Sequence, residues 1–254
     1  MWPLLFDSSG FAIPTYIVVN SLVFSLGIVW IFYRAVARKF DPNAVLDISL
    51  VAMIGCFVGA RGAHILIEHP EFYSKHPEMI YKFWYGGFVY YGGAVGGFIG
   101  AAAVCWRKKL DFLRHADLFS PVLAAGYALG RLGCLAAGCC FGRPTDLPWA
   151  IYFGQGVEAP AGVGLHPTQI YSSLWEASVF AVLLVLEKRI WGRTSGRIFG
   201  IWLIGHGFGR ALVEQFRDDF RGPTPFNLSI STWMSFVAIV IGLAVLLRTK
   251  KAKA

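Results

Sequence analysis

The sequence predicts an all-α integral membrane protein with seven transmembrane helices, and three observations support this fold class. Hydrophobic residues make up 56% of the 254 residues and charged residues only 15%, a balance outside the range of soluble globular domains. The apolar residues form seven stretches of about 17–25 residues, the length that crosses the ~30 Å hydrocarbon core of a bilayer. The connections between them are short, and are basic or contain Pro and Gly. We therefore expect a single membrane domain over residues 1–254.

The predicted spans follow one another without a soluble insertion. The residues before the first span lack the basic region of a cleavable signal peptide, so this span is expected to remain as a helix. The third span is rich in glycine, which favours either close helix packing or close approach of a lipid head group. The fifth span carries Glu176 near its middle, one of few carboxylates at membrane depth. The seven predicted spans are residues 13–33, 46–67, 84–106, 116–138, 167–186, 198–216 and 229–247.

Lysine and arginine are distributed unevenly among the connections, and this predicts the orientation. The connections after the first, third and fifth spans, together with the C-terminal tail, hold most of these residues. The N-terminus is therefore predicted to lie outside and the C-terminus in the cytoplasm. This topology accounts for the net charge of +8 without nucleic-acid binding. The predicted cytoplasmic residues are Arg34, Arg38, Lys39, Arg107, Lys108, Lys109, Arg114, Lys188, Arg189, Arg193, Arg197, Arg248, Lys250, Lys251 and Lys253; the predicted outer ones are Lys75, Lys82, Arg143, Arg217 and Arg221.

Three further arginines, Arg61, Arg131 and Arg210, lie inside predicted spans. The second, fourth and sixth spans run outward, and each arginine precedes the outer end by about six or seven residues, so all three are expected roughly 10 Å below the outer surface. Ionisable groups inside a membrane are costly and usually mark a functional site. Guanidinium groups bind phosphate oxygens in pairs, which makes a phospholipid head group the predicted ligand. In the structural alternative, each arginine binds backbone carbonyls or Glu214.

Other polar residues gather near the same predicted outer end. In the sixth span, one helical face presents His206, Arg210, Glu214 and, approximately, Arg217. Elsewhere the residues expected at this depth or just above it are Tyr16, Tyr90, Tyr91, His166 and Gln169.

The five cysteines show no zinc-ligand spacing, and adjacent cysteines such as Cys139 and Cys140 rarely bridge. No metal and no cofactor is therefore predicted. Cys134, Cys139 and Cys140 either pack as small apolar side chains or take part in chemistry beside Arg131, and the sequence leaves both open. The loop over 141–165 is likewise either a mobile segment that admits an acceptor or an ordinary outer loop.

Five segments, in order, resemble the motifs of the prolipoprotein diacylglyceryl transferase family. The central one, GRLGCLAAGCCFGRPT (Gly130–Thr145), is similar to the family pattern GRxGNFxNxExxGRPT. HPTQIY (His166–Tyr171) and IGHGFGRALVEQFRDD (Ile204–Asp219) resemble two later motifs. GARGAH (Gly59–His64) and GGFVYYGG (Gly86–Gly93) complete the set. Each motif is weak alone, but the five together cover nearly the whole chain.

The resemblance implies a transferase of lipoprotein biogenesis. In this family a diacylglyceryl group moves from phosphatidylglycerol to a cysteine thiol in the lipobox of an exported prolipoprotein. The expected location is the bacterial cytoplasmic (inner) membrane, with the active site toward the outer leaflet. The expected partners are phosphatidylglycerol, the prolipoprotein lipobox peptide and membrane lipids, and no cofactor is implied.

The sequence departs from the family where the acceptor would be handled. Tyr91 stands where the family has a histidine, and His206 where it has a tyrosine. Cys134 and Ala137 replace asparagines, and Cys139 replaces a glutamate. A base must remove the thiol proton, because the thiolate is the nucleophile; His206 is the best candidate and His166 the second. The expected catalytic residues are Arg131, Arg210, His206, Tyr91 and Glu214; the expected substrate-binding residues are Arg61, Tyr16, Arg143, His166, Gln169, Tyr171, Arg217, Cys134 and Cys139.

Two other functions remain open from the sequence. A divergent paralogue would use the same lipid donor with another acceptor, and Cys134 or Cys139 would then be able to carry the lipid transiently. A non-catalytic protein would bind lipid or take part in thiol redox chemistry. A second family copy with the usual histidine in the same genome would favour these alternatives.

Overall fold

The computed structural model describes residues 4–8, 11–83, 86–191, 194–218 and 228–248. These residues are mostly helical, which confirms the all-α class. The longer helices are α1 (Thr15–Ala37), α2 (Pro42–Ala63), α4 (Tyr90–Arg107), α5 (Phe112–Ala137), α6 (Thr168–Ile190), α7 (Arg197–Glu214) and α8 (Ile230–Arg248). A π-helical turn (His64–Glu68), the short helix α3 (Pro70–Lys75) and a 3-10 turn (Pro77–Met79) join α2 to α4. Arg193, Arg221 and the basic residues after 248 lie outside the described residues.

Among the described residues, five helical segments are long and apolar enough to cross a membrane: Thr15–Ala37, Pro42–Glu68, Phe112–Ala137, Thr168–Ile190 and Ile230–Arg248. The protein is therefore a multi-pass membrane protein. Helices α4 and α7, of 18 residues each, coincide with the predicted third and sixth spans. Their glycines and ionisable residues lower their mean hydropathy, so their crossing of the membrane stays a prediction.

The chain divides into two compact units, one formed by residues 1–30 and 116–254 and the other by 31–115. In the second unit, glycines bring the backbones of α2 and α4 into direct contact. A Cβ atom added to Gly96 would lie 2.1 Å from the carbonyl oxygen of Gly55, and one on Gly59 would lie 2.3 Å from that of Gly92. Only glycine permits such an approach. The packing explanation for the glycines of the third span is therefore confirmed for the pairs at this contact.

In the first unit, α7 begins at a buried carboxylate. Asp117 of α5 accepts hydrogen bonds from the backbone nitrogens of Gly196 (2.7 Å) and Phe199 (2.8 Å). These two amides have no partner inside the helix, so the carboxylate stabilises the helix start. At the other face of α7, a Cβ on Gly242 would lie 2.7 Å from the oxygen of Gly200, so α7 and α8 also meet through glycines.

Two small antiparallel sheets accompany the helices. One pairs β1 (Leu4–Ser8) with β2 (Phe11–Pro14), and the other pairs β3 (Ile151–Tyr152) with β4 (Gly164–Leu165). The second sheet lies in the loop after α5, around a small core of Phe153, Ala159 and Leu165. Neither sheet was predicted.

Backbone hydrogen bonds attach this loop to the helix ends on both sides. Gly142 N donates to His166 O (3.1 Å), before α6, and Arg143 N donates to Phe216 O (2.8 Å), after α7. His166 N returns a bond to Arg143 O (3.0 Å). These bonds hold the loop in a defined conformation, and they bring the ends of α5, α6 and α7 together.

Candidate active site

The buried Glu176 and the half-buried His206 form a pair at the centre of the polar cluster in the first unit. Glu176, only 1% exposed, accepts hydrogen bonds from Trp202 Nε1 (2.9 Å) and His206 Nδ1 (3.0 Å). A carboxylate only accepts hydrogen bonds, so Nδ1 carries the proton and Nε2 is the basic nitrogen of the neutral ring. This orientation of a histidine by a buried acid is the arrangement that general bases use.

Tyr127 connects this pair to Arg131. Its ring lies edge-on to the His206 ring, with centroids 4.7 Å apart. Its hydroxyl accepts a hydrogen bond of 2.5 Å from Arg131 Nη2, and the guanidinium carbon lies 4.6 Å from the centroid of the same ring. Arg131 and His206, on α5 and α7, are therefore held by one aromatic side chain.

Arg210 lies one turn along α7 from His206 and has two polar partners. Its Nη1 forms an ion pair of 2.9 Å with Glu214 Oε2, and its Nη2 donates to Ser231 Oγ of α8 (2.6 Å). A cavity with room for about one water molecule is lined by side chains of the cluster. Its lining residues are Tyr127, Ser172, Trp175, Glu176, His206, Gly209 and Arg210.

Arg61 and Tyr91 belong to the second unit. The Arg61 guanidinium donates to the carbonyl oxygens of Met79 (2.7 Å), Ile80 (3.3 Å) and Gly87 (3.2 Å), and also to that of Gly86. This is the structural alternative considered for the arginines, and a phosphate contact of Arg61 stays a prediction. Tyr91 packs edge-on against Tyr90, with ring centroids 5.3 Å apart.

Aromatic residues surround His166 at the start of α6. The Tyr171 hydroxyl accepts a hydrogen bond from Trp149 Nε1 (2.8 Å) and lies 3.2 Å from His166 Nδ1. The Phe216 ring stacks at a tilt on His166, with centroids 5.2 Å apart. Beside these rings an open groove of about 550 Å³ runs between α6 and α7. Apolar side chains form most of its wall: Leu147, Trp149, Leu174, Trp175, Leu212, Val213 and Phe216.

The three cysteines of the central motif converge at the C-terminal end of α5. The sulfur atoms of Cys134, Cys139 and Cys140 all lie within 4.8 Å of one another. Hydrogen bonds from the thiols of Cys134 and Cys139, and then the positive charges of Arg217 and Arg131, lower the pKa of the Cys140 thiol. Cys134 and Cys139, at positions where the resemblance implies an amide and an acid, thus form one cluster with Cys140.

Most of the sequence-predicted residues lie in the first unit, in two groups. Arg131, His206, Arg210 and Glu214 belong to the helical polar cluster. The second group lies around the end of α5, the loop that follows it, the start of α6 and the chain just after α7: Cys134, Cys139, Arg143, His166, Gln169, Tyr171 and Arg217. Tyr16 lies within electrostatic range of the cysteines and Arg131.

The predicted site did not include Glu176, Tyr127 or Ser231. Glu176 carried a signal, because an acid in the middle of an apolar span needs a partner. Tyrosine and serine carry no such signal, since both are common in membrane helices.

Comparisons with known proteins identify the family to which the chain belongs. Residues 3–248 match the family model described as prolipoprotein diacylglyceryl transferase. A phosphatidylglycerol–prolipoprotein diacylglyceryl transferase of Clostridium tetani is 34% identical over 245 residues, 96% of each chain. One from Nostoc is 33% identical over 251 residues, covering 95% of this chain and 87% of its own. The relative from Clostridium perfringens named transferase 2 is 32% identical and covers 97% of this chain. The chain therefore belongs to the prolipoprotein diacylglyceryl transferase family.

Proposed function

We propose that this protein transfers the diacylglyceryl group of phosphatidylglycerol to a cysteine thiol in the lipobox of exported prolipoproteins. Family membership supports the reaction class. The partly buried cluster of Arg131, Arg210 and the Glu176–His206 pair carries the proposal, because it supplies cations and a base within the helices of the first unit. The acceptor sulfur forms a bond to the glycerol carbon, the bond from that carbon to the phosphate oxygen breaks, and glycerol phosphate leaves.

Arg131 and Arg210 stabilise the negative charge that builds on the departing phosphate. Glu214 offsets part of the charge of Arg210 and fixes its position through the 2.9 Å ion pair. Arg131 is positioned by the Tyr127 hydroxyl, a neutral partner. Guanidinium groups held in place before the reaction need no rearrangement when charge develops, and this is the main source of electrostatic catalysis.

His206 takes the proton of the acceptor thiol through Nε2. Glu176 holds the ring in the tautomer that leaves Nε2 basic and stabilises the imidazolium that forms. Tyr91 is proposed to donate a hydrogen bond to the lipid phosphate or ester, since tyrosine is a poor base near neutral pH. The two substrates are proposed to bind to the remaining polar residues: Arg61, Tyr16, Arg143, His166, Gln169, Tyr171 and Arg217.

The apolar groove beside Tyr171 and Phe216 is proposed to hold an acyl chain of the donor. Its volume of about 550 Å³ and its apolar wall suit hydrocarbon, and His166 at its wall is one of the proposed substrate-binding residues. The remaining topological details are part of the proposal: seven crossings, the N-terminus outside, the C-terminus in the cytoplasm, and an active site facing the outer leaflet of the bacterial inner membrane.

The test is incubation of the purified protein with phosphatidylglycerol labelled in an acyl chain and a synthetic lipobox peptide. We expect labelled peptide and released glycerol phosphate in equal amounts. A peptide with serine in place of the acceptor cysteine is the matched control and should stay unlabelled. Label on the protein but not on the peptide would support another acceptor, and no release of glycerol phosphate would contradict the proposal.

A further inference from the structure

The Cys134, Cys139 and Cys140 sulfurs form a compact triad. Cys134 lies in the last turn of α5, and the other two follow Gly138, whose φ is 68°. All three sulfur–sulfur separations are at most 4.8 Å. A cation with metal–sulfur bonds of about 2.3 Å holds its thiolates roughly 3.8–4.0 Å apart. The triad therefore needs only small side-chain adjustments to surround one metal ion, although the spacing of the cysteines along the chain did not indicate such a site.

The backbone that carries the triad is held in place from α6. Thr168 Oγ1 donates to the Cys140 carbonyl and Gln169 Nε2 to the Cys139 carbonyl, both at 2.7 Å. Cys140 has a φ of 60°, a left-handed conformation that is unfavourable for a residue other than glycine and persists only where its surroundings impose it. Gln169 is 1% exposed, and its Oε1 is buried without a hydrogen-bond partner among the described residues. That oxygen can accept a hydrogen bond from a water or thiol bound beside the triad.

Positively charged side chains beside the triad would offset the charge of three thiolates bound to a divalent cation. Such a centre carries a net charge of about −1, since three thiolates exceed the charge of the metal by one. Arg131 and Arg217 both lie within electrostatic range of Cys140. A disulfide explains the three converging cysteines less well than a metal site does. Adjacent cysteines rarely bridge, and a disulfide between any two of the three would leave the third thiol without a role.

We propose that Cys134, Cys139 and Cys140 bind one Zn²⁺ ion and leave its fourth coordination position open for the acceptor thiol. Thiolate ligands select soft cations of this kind, and three protein ligands with one open position are typical of zinc in catalytic sites. The role of the open position rests on the proposed function. The incoming thiol binds zinc through sulfur and its proton passes to His206. The sulfur then attacks the glycerol carbon, and the carbon–phosphate-oxygen bond breaks.

Zinc content tests the site independently of activity. The protein, purified with a reductant and dialysed against trace Zn²⁺, should retain about one equivalent, as expected for three thiolate ligands. Cys139→Ser and Cys140→Ser should retain at most about a tenth of that amount. Cys56→Ser, which changes a cysteine in α2, is the matched control and should bind zinc as the parent does. Titration with Cd²⁺ should produce the ultraviolet charge-transfer band of cadmium thiolates in the parent and the Cys56 variant only.

A count of the reactive thiols, taken together with the zinc content, can contradict the proposed metal site. If the protein retains no zinc after dialysis against trace Zn²⁺ while all five of its thiols react, the proposed metal site is wrong. If two thiols are missing because a disulfide links two members of the triad, the metal proposal is equally overturned. Loss of zinc from the Cys56 variant would show that binding does not depend on the triad.

The peptide assay separates this inference from the proposed function. Labelled peptide that forms at the same rate with zinc-free protein would overturn the role of the open position while supporting the transferase. Stoichiometric zinc without any labelled peptide would support the metal site while contradicting the transferase. A rate that falls at least tenfold on zinc removal and returns on zinc addition would support both.

Discussion

At the scale of single residues, the proposed chemistry depends on how Glu176 holds His206. The carboxylate is buried on α6 and binds both the ring Nδ1 of His206 and the indole nitrogen of Trp202. A residue with no expected contact to substrate therefore decides which nitrogen of the proposed base is available. The resemblance puts Tyr91 at the position of the family's histidine, and the proposed Glu176–His206 pair would supply a basic nitrogen elsewhere.

We expect Glu176→Gln to reduce turnover by about 100-fold or more while phosphatidylglycerol binding is kept, because the amide no longer stabilises the imidazolium. The rate should also depend on pH differently from the parent, which a structural role alone would not produce. Rates measured across pH with labelled peptide would check this. Glu187→Gln, which changes another buried glutamate of α6, is the comparison variant. If His206→Phe turns over normally while Tyr91→Phe is inactive, the tyrosine has the essential role.

The phosphate-binding role of Arg131 and Arg210 leads to a second prediction. Replacement of either by alanine should raise the barrier by about 2–4 kcal/mol, or about 30- to 1,000-fold in rate. Lysine should restore little, since it lacks the paired donors of guanidinium. Arg189→Ala, at the exposed end of α6, should leave the rate unchanged. Near-parental rates in either alanine variant of the site would refute the role.

At the scale of elements, helix positions followed from the sequence more closely than helix ends. Apolar stretches bounded by charges, Pro or Gly indicated each long helix, but α1 continues to Ala37, past the predicted end at 33. A span prediction stops at the first charge, whereas a helix continues while its backbone is paired. The two-residue strands β3 and β4 were missed because so short a segment has no measurable alternation.

The contact between α2 and α4 predicts which glycines cannot be replaced. Gly96→Ala should lower the free energy of unfolding by about 1–3 kcal/mol, because its methyl group would overlap the Gly55 carbonyl. Gly62→Ala, in the same pair of helices, has no heavy atom within 4 Å of the added carbon and should be neutral or slightly stabilising. Thermal unfolding in detergent would compare them. Equal stability of the two variants would contradict the close contact.

At the scale of the whole molecule, the sequence identified the membrane class and the family, and it indicated Arg131, His206, Arg210 and Glu214, but not Glu176, as candidate site residues. Those residues were predictable because each charge at membrane depth requires an explanation. Tyr127, which links Arg131 to His206, was not, since its importance depends on a contact between two helices. The convergence of the cysteines was equally hidden, because it depends on the turn after α5 and on its hydrogen bonds to α6.

The charge distribution predicts the orientation of the whole chain. A reporter fused after Ala254 should be active only in the cytoplasm, and one fused before Trp2 only outside, because basic connections are retained inside. A further fusion after Lys109, which follows α4, should behave as the C-terminal one does. Activity of the C-terminal fusion outside the cell would contradict the predicted topology.

The attachment of the cysteine turn to later parts of the chain has a consequence for biosynthesis. Cys139 and Cys140 are held by Gln169 and Thr168, which follow them by 30 and 28 residues, and the loop is further tied to Phe216 beyond α7. At roughly 5–20 residues per second, the ribosome needs about 2–6 s to supply the first of these partners. In the proposed topology, this turn would reach the outer side of the membrane during the interval with its thiols unshielded. Oxidoreductases there would then have access to the turn before its fold is complete.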